Sequence, residues 1–220
     1  MKKILNTLAL LLIAFAAFGQ KTTTSWPYLY SDFANGTVYM KDGKKHEQEF
    51  NIHLAKGRLH FNDNGVIKEV KTNDIHLVEL NGELFTSLQG FVVKVIGDPQ
   101  TGYVAVHTYA DYQKLNESDG PYGTKLDATT SYSVTPYDLT GVAGSYDALM
   151  RNRNEGVTLP LKNDYYIVAG GRVFNASKKG IESNLDDAGK AAFKTFQKQH
   201  KIKWQDPQSL LLLVDFINQL

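Results

Sequence analysis

Cysteine is absent from all 220 residues. That excludes disulfides, thiolate chemistry and a lipid anchor on an N-terminal cysteine. A surplus of charge of either sign is missing too, with 24 basic residues against 23 acidic ones, and losing Lys2 and Lys3 with a leader leaves 22 against 23. A nearly neutral surface does not suit a polyanion, because phosphate contacts need a clustered basic face, so no nucleic-acid partner is expected. Beyond the N-terminus no apolar run reaches the roughly 20 residues that a membrane helix needs. Residues 210–214 make only about one and a half helical turns. Paired HExxH histidines, a GxxxxGK[ST] phosphate loop and a GxGxxG fingerprint are all missing. Gly170-Gly171-Arg172 reads as a turn and not a phosphate cradle, because another strand follows it. Gly141-Val142-Ala143-Gly144-Ser145 fails as a nucleophile elbow, since Tyr146 stands where a second small residue belongs; His107 and Asp147 complete a triad there only by assumption.

What is present begins with an export signal. Lys2 and Lys3 precede an apolar run from Ile4 to Phe18, and Ala17-Phe18-Gly19 puts small residues at the two positions a signal peptidase reads. Residues 1–19 are therefore expected to be removed, leaving about 200 residues, enough to bury a sizeable core. Within residues 20–108, apolar-alternating segments at 37–41, 46–54, 58–62, 66–71, 75–80, 83–87, 91–96 and 103–108 read as strands, separated by turns such as Asp42-Gly43, Asn64-Gly65 and Asn81-Gly82. The preceding Trp26-Pro27-Tyr28-Leu29-Tyr30 is expected to pack onto the sheet. Pairing Leu54 with Leu59 would set Ile52 opposite Phe61 and His53 opposite His60, placing both histidines on the solvent face. Such a meander predicts an α+β fold whose antiparallel sheet rolls into a barrel-like body or a small sandwich.

Residues 109–155 lose the alternation and read as a long loop rich in Tyr, Ser, Thr and Gly. Seven of the twelve tyrosines lie between Tyr103 and Tyr146, which opposes plain disorder. In the remaining stretch, 156–220, strands at 157–161, 165–169 and 172–175 precede two helices. Asp186 or Asp187 caps the first, which runs to residue 200. Asp206-Pro207 opens the second, whose apolar face must pack on the end or open face of the sheet.

Tyr122-Gly123-Thr124 with the Ser/Thr-rich tract behind it, Tyr165-Tyr166 leading to Phe174-Asn175 and Lys178-Lys179, and a charged helix before an apolar one together resemble a group of uncharacterised secreted proteins common in Bacteroidota. The resemblance implies an envelope or secreted location and brings no catalytic residues and no cofactor.

Two sets of residues carry candidate chemistry. His53 and His60, side by side, offer two imidazoles to a metal, but zinc takes three or four ligands, and Glu47, Glu49 and His76 are not fixed nearby by spacing. A solvated polar face is the simpler reading, and no metal is expected. Tyr109, Tyr112, Tyr122, Tyr132 and Tyr137 combine flat rings with hydroxyls suited to stacking on sugar or peptide. The lysines at 178, 179, 190, 194, 198, 201 and 203 read as a solvated helix face. Three functions follow in order of preference. The first is a non-enzymatic secreted or periplasmic protein that contacts an envelope glycan or another envelope protein. The second is a small-ligand carrier with a pocket between sheet and last helix. The third is a hydrolase of envelope polymers.

Overall fold

The computed structural model describes residues 22–112, 118, 119, 125, 126 and 145–220. In chain order the elements are β1 (Ala34–Met40), β2 (Lys45–His53), β3 (Arg58–Asp63), β4 (Val66–Glu69), β5 (Ile75–Leu80), β6 (Glu83–Leu88), β7 (Phe91–Asp98) and β8 (Gly102–Ala110). The two-residue strands β9 (Ser118–Asp119) and β10 (Lys125–Leu126) pair with each other. Then follow α1 (Tyr146–Asn152), β11 (Leu161–Ala169), β12 (Arg172–Asn175), α2 (Lys178–Glu182), α3 (Asp187–Gln199) and α4 (Pro207–Asn218). Ten strands form one antiparallel sheet in the order β12-β11-β8-β7-β6-β5-β1-β2-β3-β4. The sheet is open: β4 and β12 stand at its two edges, and among the described residues neither a closed barrel nor a two-sheet sandwich is built.

Two four-strand meanders, β1 to β4 and β5 to β8, join because the chain returns from β4 through a 3-10 turn at Thr72–Asp74 to lay β5 against β1. Tight turns set the local registers. Asn81 and Gly82 have φ of 53° and 74°, the left-handed pair that a type I′ hairpin demands between Leu80 and Glu83. One face of β1, β2, β3, β5, β6 and β7 closes over Val38, Phe50, Ile52, Leu59, Val78 and Phe85. Farther along the same sheet, Val104, Ile167 and Phe174 meet Leu210, Leu213, Val214 and Ile217 of α4, with Phe193 of α3. The last helix therefore covers the flank of the sheet over β8 and β11 and does not stop an end.

Asp186 is the cap of α3, its carboxylate accepting from the Gly189 N–H at 2.8 Å. Asp206 caps α4 at 3.1 Å to the Gln208 N–H, with Pro207 opening the helix. The stretch 109–155 is not all loop, since β8 runs to Ala110 and α1 occupies Tyr146–Asn152. Residues 157–159 are separate from β11: Leu159 N–H donates to Thr22 O at 2.8 Å and Thr24 N–H to Val157 O at 3.0 Å, with Thr23 bridging Thr158. The threonine run at residues 22–24 thereby ends as a partner of residues far along the chain.

Candidate functional site

The β2–β3 hairpin is offset by two residues from the pairing that leucine matching suggested. Phe50 faces Phe61, Ile52 faces Leu59 and His53 faces Arg58. Leu54 is unavailable for the ladder because it bonds elsewhere: its N–H donates to Pro27 O at 2.8 Å, and its carbonyl accepts from Ala110 N–H at 3.2 Å. A slip of two preserves faces, so the apolar set stays together and Asn51, His53 and His60 share the other side. That side is not solvated. Asn51 and His53 have no exposed surface and His60 is 1% exposed, because the segment 26–33 lies across them.

The covering segment is aromatic. Trp26, Tyr28 and Phe33 pack with Ile67 and with Tyr146, Leu149 and Met150 of α1. Asn51 anchors it by using its whole amide: Oδ1 accepts from Tyr30 N–H at 3.1 Å and Ile52 N–H at 2.9 Å, while Nδ2 donates to Tyr30 O at 2.9 Å and Asp32 O at 3.1 Å. Tyr28 Oη lies 3.0 Å from His60 Nδ1. Burial pushes the Tyr28 phenol well above its ordinary range, so it stays protonated, and its hydroxyl and the His60 ring share one hydrogen bond whose donor is set by the imidazole tautomer. His60 itself is driven down to about 3, by burial first and then by His53, Lys56 and Arg58. Its Nε2 is 3.8 Å from a Glu69 oxygen, but a neutral ring at that separation forms neither an ion pair nor a hydrogen bond.

The rings of His53 and His60 are 4.9 Å apart, so the expectation that they neighbour each other holds while the expectation of a solvated face does not. Ala55 N–H donates to His53 Nδ1 at 3.3 Å, which uses that nitrogen's lone pair. Among the described residues no group of three or more His, Cys, Asp or Glu is placed to hold a metal. What this cluster does is bind the N-terminal segment to the sheet. Sequence reading missed Tyr28 and Asn51 as its centre; the only signal was aromatic density at 26–30.

A second cluster adjoins it where β8 ends. His107 is stacked between Phe91 at 4.3 Å and Tyr109 at 5.3 Å, with Gly57 of the β2–β3 turn against its Nε2. Burial lowers its pKa, partly offset by Asp164. Asp111, 3% exposed, meets Lys162 Nζ at 2.6 Å. Tyr109 and Tyr112 are thus half-buried parts of the sheet's end, Tyr112 packing with Leu54, Ala110 and Leu159. Tyr122, Tyr132 and Tyr137 lie outside the described residues. Ser145, the other half of the assumed triad, bridges Val66 of β4 and precedes α1, while His107 serves the stack on β8.

Open apolar space lies elsewhere. Between β1, β2 and the chain after β4, Val38, Met40, Phe50, Phe61 and Val70 line a groove of ≈ 210 Å³, with His46 and Gln48 as its polar members. The groove opens where β2 outruns β3: Lys45 to Glu49 pair with β1 but lie beyond the β3 ladder, which begins at Phe50, and they are exposed. The interface under α4, in contrast, is filled by side chains with 8% exposure or less.

No family model matches this chain, and neither the curated proteins nor the solved structures contain a match. Fold and site together define a mostly β, α+β protein: an open ten-stranded sheet, a segment at residues 26–33 sealed over buried histidines, and, among the described residues, a small apolar groove.

Proposed function

We propose that this is an exported envelope protein that binds rather than reacts, taking an apolar group of a small ligand or of another envelope component into the groove of β1, β2 and β3. The groove carries the reading, because it joins five apolar side chains to an imidazole and an amide on an exposed strand. At ≈ 210 Å³ it is smaller than the roughly 300–1,000 Å³ of drug-sized sites, so it suits one ring or one branched aliphatic group. The imidazole of His46 and the amide of Gln48 supply donors and acceptors for a polar attachment beside that group. Support for export comes from the paired lysines, the apolar run and Ala17-Phe18-Gly19, and among the described residues no helix is long and apolar enough to cross a membrane. The buried histidines favour binding over catalysis, because a reacting group must reach its substrate and these are shut beneath Tyr28 and Trp26.

The binding test is a fluorescence titration with N-phenyl-1-naphthylamine, an apolar aromatic probe. Met40→Trp, which fills the groove from a half-buried position, should weaken binding at least tenfold. Undiminished binding in that variant removes the groove from the proposal. Cell fractionation followed by mass determination of the N-terminus checks export: a chain beginning at Gln20 outside the cytoplasm is expected, and a cytoplasmic chain retaining residues 1–19 refutes it.

A further inference from the structure

Strands β2 and β3 fork. Their ladder starts at Phe50 and Phe61; beyond it β3 leaves β2, and Asn62 and Asp63 pair with Ile67 and Val66 of β4. Asn62 Nδ2 still reaches the Glu49 carboxylate at 3.4 Å, so the position opposite Glu49 is taken. Lys45 to Gln48 are exposed and paired with β1 on one side alone. Among the described residues no strand lies along their other side.

Which backbone groups face that open side is fixed from both ends of β2. Met40 N–H donates to Lys44 O at 2.8 Å, and Leu29 N–H to Ile52 O at 2.9 Å. Lys44 and Ile52 therefore turn their backbone groups toward β1 and the segment leading into it. The β1–β2 register runs unbroken between them, so strand alternation gives His46, Gln48 and Phe50 the same direction and Lys45, Glu47 and Glu49 the opposite one. Among the described residues no backbone partner meets the N–H and C=O of Lys45 and Glu47. Side chains alternate as well: His46 and Gln48 line the groove in the fork, beside Phe61 and Val70, whereas Lys45 and Glu47 lie on the other face.

We propose that this edge accepts an extended segment of another polypeptide, antiparallel to β2, with a basic residue opposite Glu47 and apolar residues on either side of it. This deepens the reading above and rests on the same groove, naming a polypeptide as what fills it. A peptide backbone fits because it repeats an N–H and a C=O at the two-residue spacing of Lys45 and Glu47, and a residue opposite each exchanges bonds with it. The neighbours of the residue opposite Glu47 then point to the groove's face, where ≈ 210 Å³ takes one ring or one branched aliphatic group. Charge selects the residue on the other face. β1 sets Thr37 beside Glu47 and Glu79, Asn35 beside Glu49 and Tyr39 beside Lys45, three carboxylates to one ammonium. Lys45 is already engaged by Glu47 at 2.6 Å, which leaves the surplus negative. An incoming cation is favourable opposite Glu47 and unfavourable opposite Lys45.

Fluorescence anisotropy with labelled Ser-Thr-Leu-Lys-Leu-Thr-Ser tests this, beside the N-phenyl-1-naphthylamine titration that tests the groove alone. Saturable peptide binding is expected. Methylating the backbone nitrogen of the peptide's lysine keeps every side chain but removes the N–H given to Glu47 O, and should weaken binding at least tenfold. Glu47→Pro removes the outward N–H at an edge position where proline is tolerated. It should weaken the peptide at least tenfold while the naphthylamine titration and far-UV circular dichroism stay near those of the parent. Naphthylamine binding without peptide binding overturns the strand proposal and leaves the groove reading standing. Peptide binding that either change leaves undiminished overturns it too, because the edge would then not be what holds the peptide. Absence of both ligands from the parent protein ends both readings.

Discussion

Asn51, His53 and His60 alternate with Phe50, Ile52, Leu59 and Phe61, and alternation alone assigns them to water. They are buried because a segment some twenty residues upstream lies over them, and a period of two records which residues share a face without recording what covers it. The consequence is measurable in pH. His60 titrates at about 3 in the fold and near its ordinary 6.5 when unfolded. As pH falls from 6.5 toward 3 the unfolded chain takes up a proton that the folded chain refuses, so stability present above 6.5 is lost across that window. Urea unfolding should show a loss of roughly 3 kcal/mol between about pH 7.5 and about pH 4.5 from this one ring. His60→Gln should flatten that slope; an equally steep slope in the variant would assign the effect to other groups.

At the scale of elements, the strands were legible almost wherever a turn stood beside them. Asn81-Gly82 located β5 and β6, and Asp206-Pro207 located α4 to within a residue. The β2–β3 connection was misjudged because its geometry is set from outside the hairpin, by Pro27 and Ala110 competing for Leu54. Likewise nothing local places β5 beside β1, since both alternate and either would suit several neighbours. Helix α1 carries Asp147 and Arg151 at suitable ends, yet seven residues with no fully buried side chain give little periodic signal. Gly57 is the residue on which the misread connection turns. Its φ is +57°, and a Cβ there would lie 2.8 Å from His107 Nε2 and 3.1 Å from the Phe91 ring. Gly57→Ala combines a left-handed backbone penalty with overpacking, and should cost about 2 kcal/mol in denaturant unfolding. A neutral result would mean that the His107 stack gives way freely.

For the molecule as a whole, the sheet is one continuous body carrying separate apolar clusters, and the tryptophans fall at different ones. Trp26 lies in the N-terminal aromatic cluster and Trp204 packs at the margin of the α4 cluster. Because β8 is hydrogen-bonded to both β7 and β11, the two regions should lose structure together. Leu213→Ala, beneath α4, should cost about 3 kcal/mol. In single-tryptophan proteins, made by Trp26→Phe or Trp204→Phe, that substitution should shift both fluorescence midpoints alike, coincident with circular dichroism. Separate midpoints would divide the chain into two folding units. Such joint behaviour was not legible beforehand, because α4 and the early strands share no sequence signal, and α4 packs on β8 and β11 rather than on those strands.

The ladder between residues 22–24 and 157–159 has a bearing on biogenesis. A ribosome makes Thr22 long before it makes Leu159, so the front of the chain must wait, unmatched, through more than half of synthesis. Whatever carries the nascent polypeptide meanwhile meets those residues in extended, accessible form, and the N-terminus becomes resistant to proteases only after the later partner has emerged.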